Sequence, residues 1–355
     1  MQKFTSLVIF FALVMGFILF GYYRTQTLQA PASGPPPQDA FSSQLTDTFP
    51  GESSSPAGVQ PAAANEPAAG PVIYRDKVVA LIYHHFDPRE GDITISQQLF
   101  AAHLDMLRAK GYNVISLEQL RSFLEGGSVP PNAVLLTMDD GYASVYQLAF
   151  PELKRRNMPA VVFVIGAYMG KTLGTLPHFG WEEAREMEAH NISIQSHTYD
   201  MHNWGLSREG KSRPLLEGPL AKETDHDFAA RVLHDLVTAK KDLDEHLGQP
   251  AYALAWPYGR ASEKAREIAT QVGFKLIFTT RYGVITRQSN PLNLPRIHAG
   301  SPRIKPADLD TIIRNAVGVL PSSPSPAKPD KTTVAGPAPK TESGIKVPSP
   351  SPAKK

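Results

Sequence analysis

Asp139 and Asp140 stand side by side in the segment TMDDGY, and His197 and His202 stand five apart in SHTYDMH. The chain contains no cysteine, so any metal ion must be held by imidazole and carboxylate. Two histidines with one carboxylate leave coordination positions open for water and substrate, which is what metal-assisted hydrolysis requires. On a helix the spacing of five would put the imidazoles about 140° apart around the axis, so a shared ion demands that they sit in a loop. Neighbouring residues at a strand end face opposite sides; one carboxylate can therefore ligate while the other faces a substrate water. Asp-Asp-Gly by itself is equally the signature of a structural turn, and the surrounding elements have to decide.

Those elements alternate. Apolar runs of strand type lie at 77–83, 134–138, 160–165, 192–195, 252–256 and 275–279, with a weaker one at 113–115. Helical patterns separate them. Ser96 reads as the N-cap of a helix through Leu99, His103, Leu104 and Leu107 ended by Gly111, and Ser116 with Gln119 forms a capping box. Further helices follow Tyr142, Trp181, Thr224 and Ala261. The alternation predicts parallel strands with right-handed crossovers, and their number predicts an α/β fold of the distorted or incomplete (β/α) barrel kind with seven or eight strands. In such a barrel the loops after the strands converge on one face. Four clusters fall there: Tyr83-His84-His85, Asp139-Asp140-Gly141, His197 with His202, and Pro257-Tyr258-Gly259. His298, in LPRIHA, follows another expected strand end and is held in reserve, whereas His103, His178, His190, His226, His234 and His246 read as solvated or structural.

The 355 residues carry 36 Lys plus Arg against 34 Asp plus Glu, a net charge of +2, which gives no field for gripping a nucleic acid. Of the 32 prolines, 18 fall in two stretches that make up about a quarter of the chain. Residues 25–74 and 320–355 are rich in Pro, Ala, Ser or Lys, cannot bury enough apolar surface, and are expected to be disordered. Between them, 75–319 has the size of one barrel domain. Residues 1–24 hold the uncharged run Phe4–Tyr23, whose 20 residues at about 1.5 Å each match a bilayer core. A transmembrane anchor is expected, with a cleaved signal as the alternative. Either one places the domain outside the cytoplasm.

Together these residues resemble the NodB-homology polysaccharide deacetylases, carbohydrate esterase family four. TMDDGY resembles the family's first motif, SHTYDMH its second and WPYG its third, over about Val78 to Ile297. The opening VVALIYHHF and the five-residue histidine spacing resemble the intercellular-adhesin branch, which deacetylates poly-N-acetylglucosamine and carries its motifs in permuted order. The resemblance implies that Asp140, His197 and His202 hold a divalent cation, with zinc the best match. It implies Asp139 as general base, the backbone N–H of Tyr258 as oxyanion donor, and His84 as the acid that protonates the leaving amine, with His85 beside it in reserve. Many members place an arginine before the third-motif Pro-Tyr to orient the base. Ala255 and Trp256 stand there, so Arg260 or Arg296 must substitute. Tyr142, Trp204, Trp256 and Pro257 are expected to line the substrate groove, since aromatic rings cover the apolar faces of sugars. The expected substrate is an N-acetylglucosamine polysaccharide at the cell envelope. An O-acetyl esterase, a peptidoglycan or chitin-oligomer deacetylase, and a catalytically silent tethered glycan-binding protein are the rival expectations.

Overall fold

The computed structural model describes residues 70–318. The membrane segment expected at Phe4–Tyr23, the Pro-rich stretch before residue 70 and the tail after residue 318 lie outside the described residues. Among the described residues no helix is long and apolar enough to cross a membrane.

The strands β1 (Lys77–Tyr83), β2 (Asn113–Val114), β3 (Ala133–Met138), β4 (Ala160–Val164), β5 (Ile192–Ser196), β6 (Ala253–Ala255) and β7 (Leu276–Phe278) are the apolar runs read from the sequence. Between them run α1 (Gln97–Ala109), α2 (Leu117–Leu124), α3 (Phe150–Arg156), α4 (Trp181–Glu188), α5 (Asp225–Leu247) and α6 (Glu263–Val272). The expected caps form: Ser96 Oγ accepts from Leu99 N at 3.3 Å, and Ser116 exchanges both capping-box bonds with Gln119. The short strand β9 (Ile297–His298) is the one expected to end near His298, whereas β8 (Ile285–Thr286) and a last helix, α7 (Pro306–Val317), had no counterpart in the sequence reading.

The sheet runs in the order β7-β6-β5-β4-β3-β1-β8, with β2 on β3 and β9 on β1. All pairings are parallel except β8 on β1. An open sheet of this order would leave β7, and the part of β1 beyond its short pairing with β8, without a partner on one side. The chain from residue 291 to 300 joins them. Leu294 N donates to Ile277 O (2.8 Å) and Thr279 N donates to Leu294 O (2.9 Å), while β9 pairs Leu81 with Ile297 and Ile82 with His298. The result is a distorted (β/α) barrel whose last stave is an irregular segment rather than a full strand.

Strand parity then sorts the side chains. On β1, Val79, Leu81 and Tyr83 pack outward under the helices, and Val78 and Ala80 face the lumen, so His84 leaves the strand on the lumen parity. On β3, Val134, Leu136 and Met138 point outward while Ala133 and Leu135 point inward, followed in the same register by Thr137 and Asp139. On β5, Ile192 and Ile194 are outward, and His197 falls on the inward parity. Ile297 is outward, which turns Arg296 inward between the two edges it helps to join.

Candidate active site

Asp139 and Arg296 meet inside the barrel mouth, both almost fully buried. The Nη1 of Arg296 donates to Oδ1 of Asp139 and its Nη2 to Oδ2, each at 2.7 Å. The same guanidinium donates to Thr137 Oγ1 (3.1 Å) and to Thr279 O (3.0 Å), and lies 5.5 Å from the ring centre of Phe163. Burial pushes the Asp139 carboxyl upward, but the Arg296 charge, with smaller help from His197 and His84, outweighs it and holds the group below its ordinary value. Of the two arginines expected to substitute for the third-motif arginine, Arg296 is the one that contacts Asp139. Arg260 is exposed and pairs with Glu217 at 2.6 Å.

Asp140 leaves β3 in the left-handed region, at φ 75°, which turns it back toward the mouth instead of outward. There its Oδ1 lies 3.4 Å from Nε2 of His197 and 3.3 Å from Nε2 of His202. One ligand atom from each of these three residues falls within 4.8 Å of the others. His197 Nδ1 sits 2.8 Å from Ala255 O, which fixes the donating proton on Nδ1 and leaves Nε2 to face Asp140 with its lone pair. Asp140 Oδ1 is buried with no hydrogen-bond partner. Acceptors converging on a common point without a donor are what a cation would satisfy, and Asp and His suit a borderline divalent ion. Burial works against a charged His197, yet Asp139 and Asp140 outweigh it and raise its pKa; Asp140, although buried, is held well below the usual carboxylate range by His197, His84 and His202.

His84 is half-buried with Nδ1 unpaired, and its ring centre lies 6.0 Å from that of His298. His298 has its pKa lowered by partial burial and then by the neighbouring His84, so it is neutral at pH 7. His85 falls on the opposite parity, within 3.4 Å of Thr94 Oγ1 and edge-on to Tyr142. Tyr258 occupies a left-handed backbone position (φ 58°, ψ 9°) just past β6, and its hydroxyl donates to His202 O at 3.3 Å. The next residue must be glycine: at Gly259, φ +69°, a Cβ would come within 2.5 Å of Thr280 N. Most other non-glycine residues with positive φ are Asn or Asp, which tolerate it; the β-branched Thr198 (φ 74°) and the aromatic Tyr258 do not, and both lie in this site.

The expected substrate wall is only partly there. Trp204, on a hairpin formed by Trp204–Leu206 and Ser212–Pro214, is 51% exposed and packs edge-on to Tyr258 at 5.5 Å between ring centres. Tyr142 is half-buried beside His85 and His178. Trp256 and Pro257 do not line a groove. On β6, Ala253 and Ala255 face the lumen, so Trp256 points outward and is fully buried beneath α5 and α6, and Pro257 is buried as well. His178, read from the sequence as solvated or structural, is buried with its ring 5.0 Å from that of Tyr142, and Asp235, which had not been singled out, is a buried carboxylate on α5 bonded to the loop between the two histidines. The signal for Asp235 was its place in the apolar stripe of Phe228, Val232, Leu236 and Ala239.

A family model described as polysaccharide deacetylase matches residues 126–277. The structure of IcaB from Ammonifex degensii superposes with a TM-score of 0.60 at 31% identity, covering 67% of this chain and 97% of that one. The chain belongs to the polysaccharide deacetylase family. Two enzymes named poly-beta-1,6-N-acetyl-D-glucosamine N-deacetylase are also similar. The one from Staphylococcus aureus (strain MRSA252) is 26% identical over 206 residues, 58% of this chain and 67% of that protein. The one from Escherichia coli (strain K12) is 26% identical over 252 residues, 64% of this chain but only 37% of that longer protein. The deacetylase segment matched by the family model contains Asp139, Asp140, His197, His202 and Tyr258, whereas His84 and Arg296 come from the strands flanking it.

Because the native value of Asp139 lies below its unfolded value, its ionisation favours folding at neutral pH, and that contribution is lost as pH falls through the native value. Replacing Arg296 removes the main influence opposing burial. In Arg296→Met the acid limb of the kcat/KM profile for deacetylation should move to higher pH, with stability at neutral pH falling by about 3–5 kcal/mol as a buried charge loses its partner. A limb that stays in place would show that Arg296 does not set the ionisation of Asp139.

Proposed function

We propose that this polysaccharide deacetylase is a divalent-cation-dependent N-deacetylase acting on a poly-N-acetylglucosamine-like polymer, with Asp140, His197 and His202 holding zinc. The observation that carries the reading is the separation of the two adjacent carboxylates: Asp139 is locked on Arg296, and Asp140 faces two imidazoles. The substrate class rests on the similarity to the poly-N-acetylglucosamine deacetylases, and the metal on the unpartnered Oδ1 of Asp140 facing two imidazoles.

A divalent cation in that position supplies Lewis acidity toward water and toward the acetamide carbonyl. The chain's own groups move the protons. Asp139, kept ionised and oriented by Arg296, takes a proton from the attacking water as its oxygen bonds to the acyl carbon. The backbone N–H of Tyr258 hydrogen-bonds the oxygen that becomes negative, and a preorganised donor of this kind is typically worth about 3 kcal/mol. His84, just past the end of β1, donates a proton to the amide nitrogen as the C–N bond breaks, leaving acetate and the free sugar amine. His298, neutral at pH 7, is the poorer donor. Trp204 and Tyr142 present ring surface at the mouth to the sugar faces. The apolar run Phe4–Tyr23 supports a location outside the cytoplasmic membrane and tethered to it, where an envelope polymer would be met.

Acetate release by the purified chain should be fastest on poly-N-acetylglucosamine, slower on chitin oligomers and peptidoglycan, and abolished by a chelator. Preference for peptidoglycan, or for O-acetylated xylan, would reassign the substrate. Asp139→Asn should lower kcat by about 10²–10⁴-fold with zinc content unchanged, and wild-type turnover would remove Asp139 from the base role. His84→Ala should cost about 10²–10⁴-fold in kcat and His298→Ala much less. The reverse order would transfer the acid role to His298.

A further inference from the structure

A spacing of five residues between two ligands leaves four residues of loop whose backbone must be held in one shape for both imidazoles to face one point. The account of that loop's donors is complete. His197 N donates to Val164 O (2.8 Å), continuing the β4–β5 ladder. Thr198 N donates to Ser196 Oγ (3.1 Å), and Met201 N to Thr198 Oγ1 (3.2 Å), bonds made within the loop itself. The two N–H groups in the middle go to one side chain from elsewhere: Tyr199 N donates to Asp235 Oδ1 at 3.0 Å and Asp200 N to Asp235 Oδ2 at 2.7 Å.

Asp235 is an unusual residue for its position. Phe228, Val232, Leu236, Ala239 and Leu243 make the buried face of α5, and Asp235 stands among them, 6% exposed. The nearest arginine on the helix, Arg231, is already engaged by Glu223 through bonds of 2.6 and 2.9 Å. Burial pushes the Asp235 carboxyl up to about 6 despite its two N–H partners. A carboxylate in an apolar stripe is costly unless its bonds are needed; an apolar residue at 235 would extend the core but leave the Tyr199 and Asp200 amides unpaired. Those bonds serve the loop, whose Thr198 is held in the left-handed region and whose O accepts from Gly166 N at 3.0 Å.

We propose that Asp235 is a positioning residue: by holding the Tyr199 and Asp200 amides it fixes the loop that sets His202 against Asp140 and His197, and so sets the affinity of the site for a divalent cation. This rests on the reading of Asp140, His197 and His202 as the ligands. His197 is fixed independently by Ala255 O and by the sheet, so the ligand that depends on Asp235 is His202, whose side chain is 23% exposed. Groups that orient metal ligands from behind typically contribute about 10–100-fold to affinity.

The test is calorimetric titration of chelator-stripped full chain with zinc, comparing wild type, Asp235→Asn and the control Asp244→Asn. Asp244 lies on the same helix and accepts from Ala251 N at 2.7 Å, making no bond to the histidine loop. Asn keeps one acceptor and turns an amide donor toward the second N–H. Zinc affinity should fall about 10–100-fold in Asp235→Asn and stay at the wild-type value in Asp244→Asn. Wild-type affinity in Asp235→Asn, or an equal loss in both variants, overturns the proposal. Failure of the wild type itself to bind zinc overturns the metal reading instead. If Asp235→Asn does not fold, amide hydrogen exchange on the wild type decides. Protection of Tyr199 and Asp200 comparable to the barrel strands supports the role, and exchange at the rate of the surface hairpins contradicts it.

Discussion

The ion pair between Asp139 and Arg296 is the constraint on which the rest of the site depends. Two adjacent carboxylates crowded into one buried mouth would repel and draw a shared proton. The bidentate guanidinium prevents this by neutralising one of them, and its further bonds to Thr137 and Thr279 leave it a single orientation. Arg296 can reach that place only because the chain at 291–300 seals the barrel between its two edge strands. Barrel closure and the ionisation of Asp139 are thus one feature of this chain.

The other half of the site depends on strained backbone. Left-handed residues at Asp140, Thr198 and Tyr258 each follow a strand and each re-aim a polar group toward the mouth. The strands supply rigid origins, and the left-handed turns supply directions that extended chain cannot take. With Asp140 turned inward, and His197 fixed by Ala255 O, three acceptors converge while Asp139 stays on Arg296. The two carboxylates are thus given different surroundings by geometry before any substrate arrives.

Much of this was legible in the sequence for a simple reason. Buried parallel strands are continuous apolar runs, and the polar residues that end them stand out, which is how the strand ends carrying His84, Asp139, Asp140, His197 and Tyr258 are found. What was not legible involves reach between distant segments. Arg296 follows a proline and opens a two-residue strand with no periodicity of its own, so nothing local distinguished it from Arg260. Trp256 was read by residue type as a sugar platform, whereas alternation from Ala253 and Ala255 already placed it on the outer face. Asp235 lies 36 residues beyond the amide it holds, on a helix whose pattern shows only that a carboxylate stands where an apolar residue belongs.

The most direct test of the central claim is a zinc-soaked crystal of the domain examined by anomalous scattering at the zinc edge. One ion should lie about 2.0–2.2 Å from a carboxylate oxygen of Asp140 and from Nε2 of His197 and His202, with Asp139 still forked onto Arg296. An ion bound through Asp139, with Arg296 displaced, or density at none of these three residues, would contradict the division of roles between the two carboxylates.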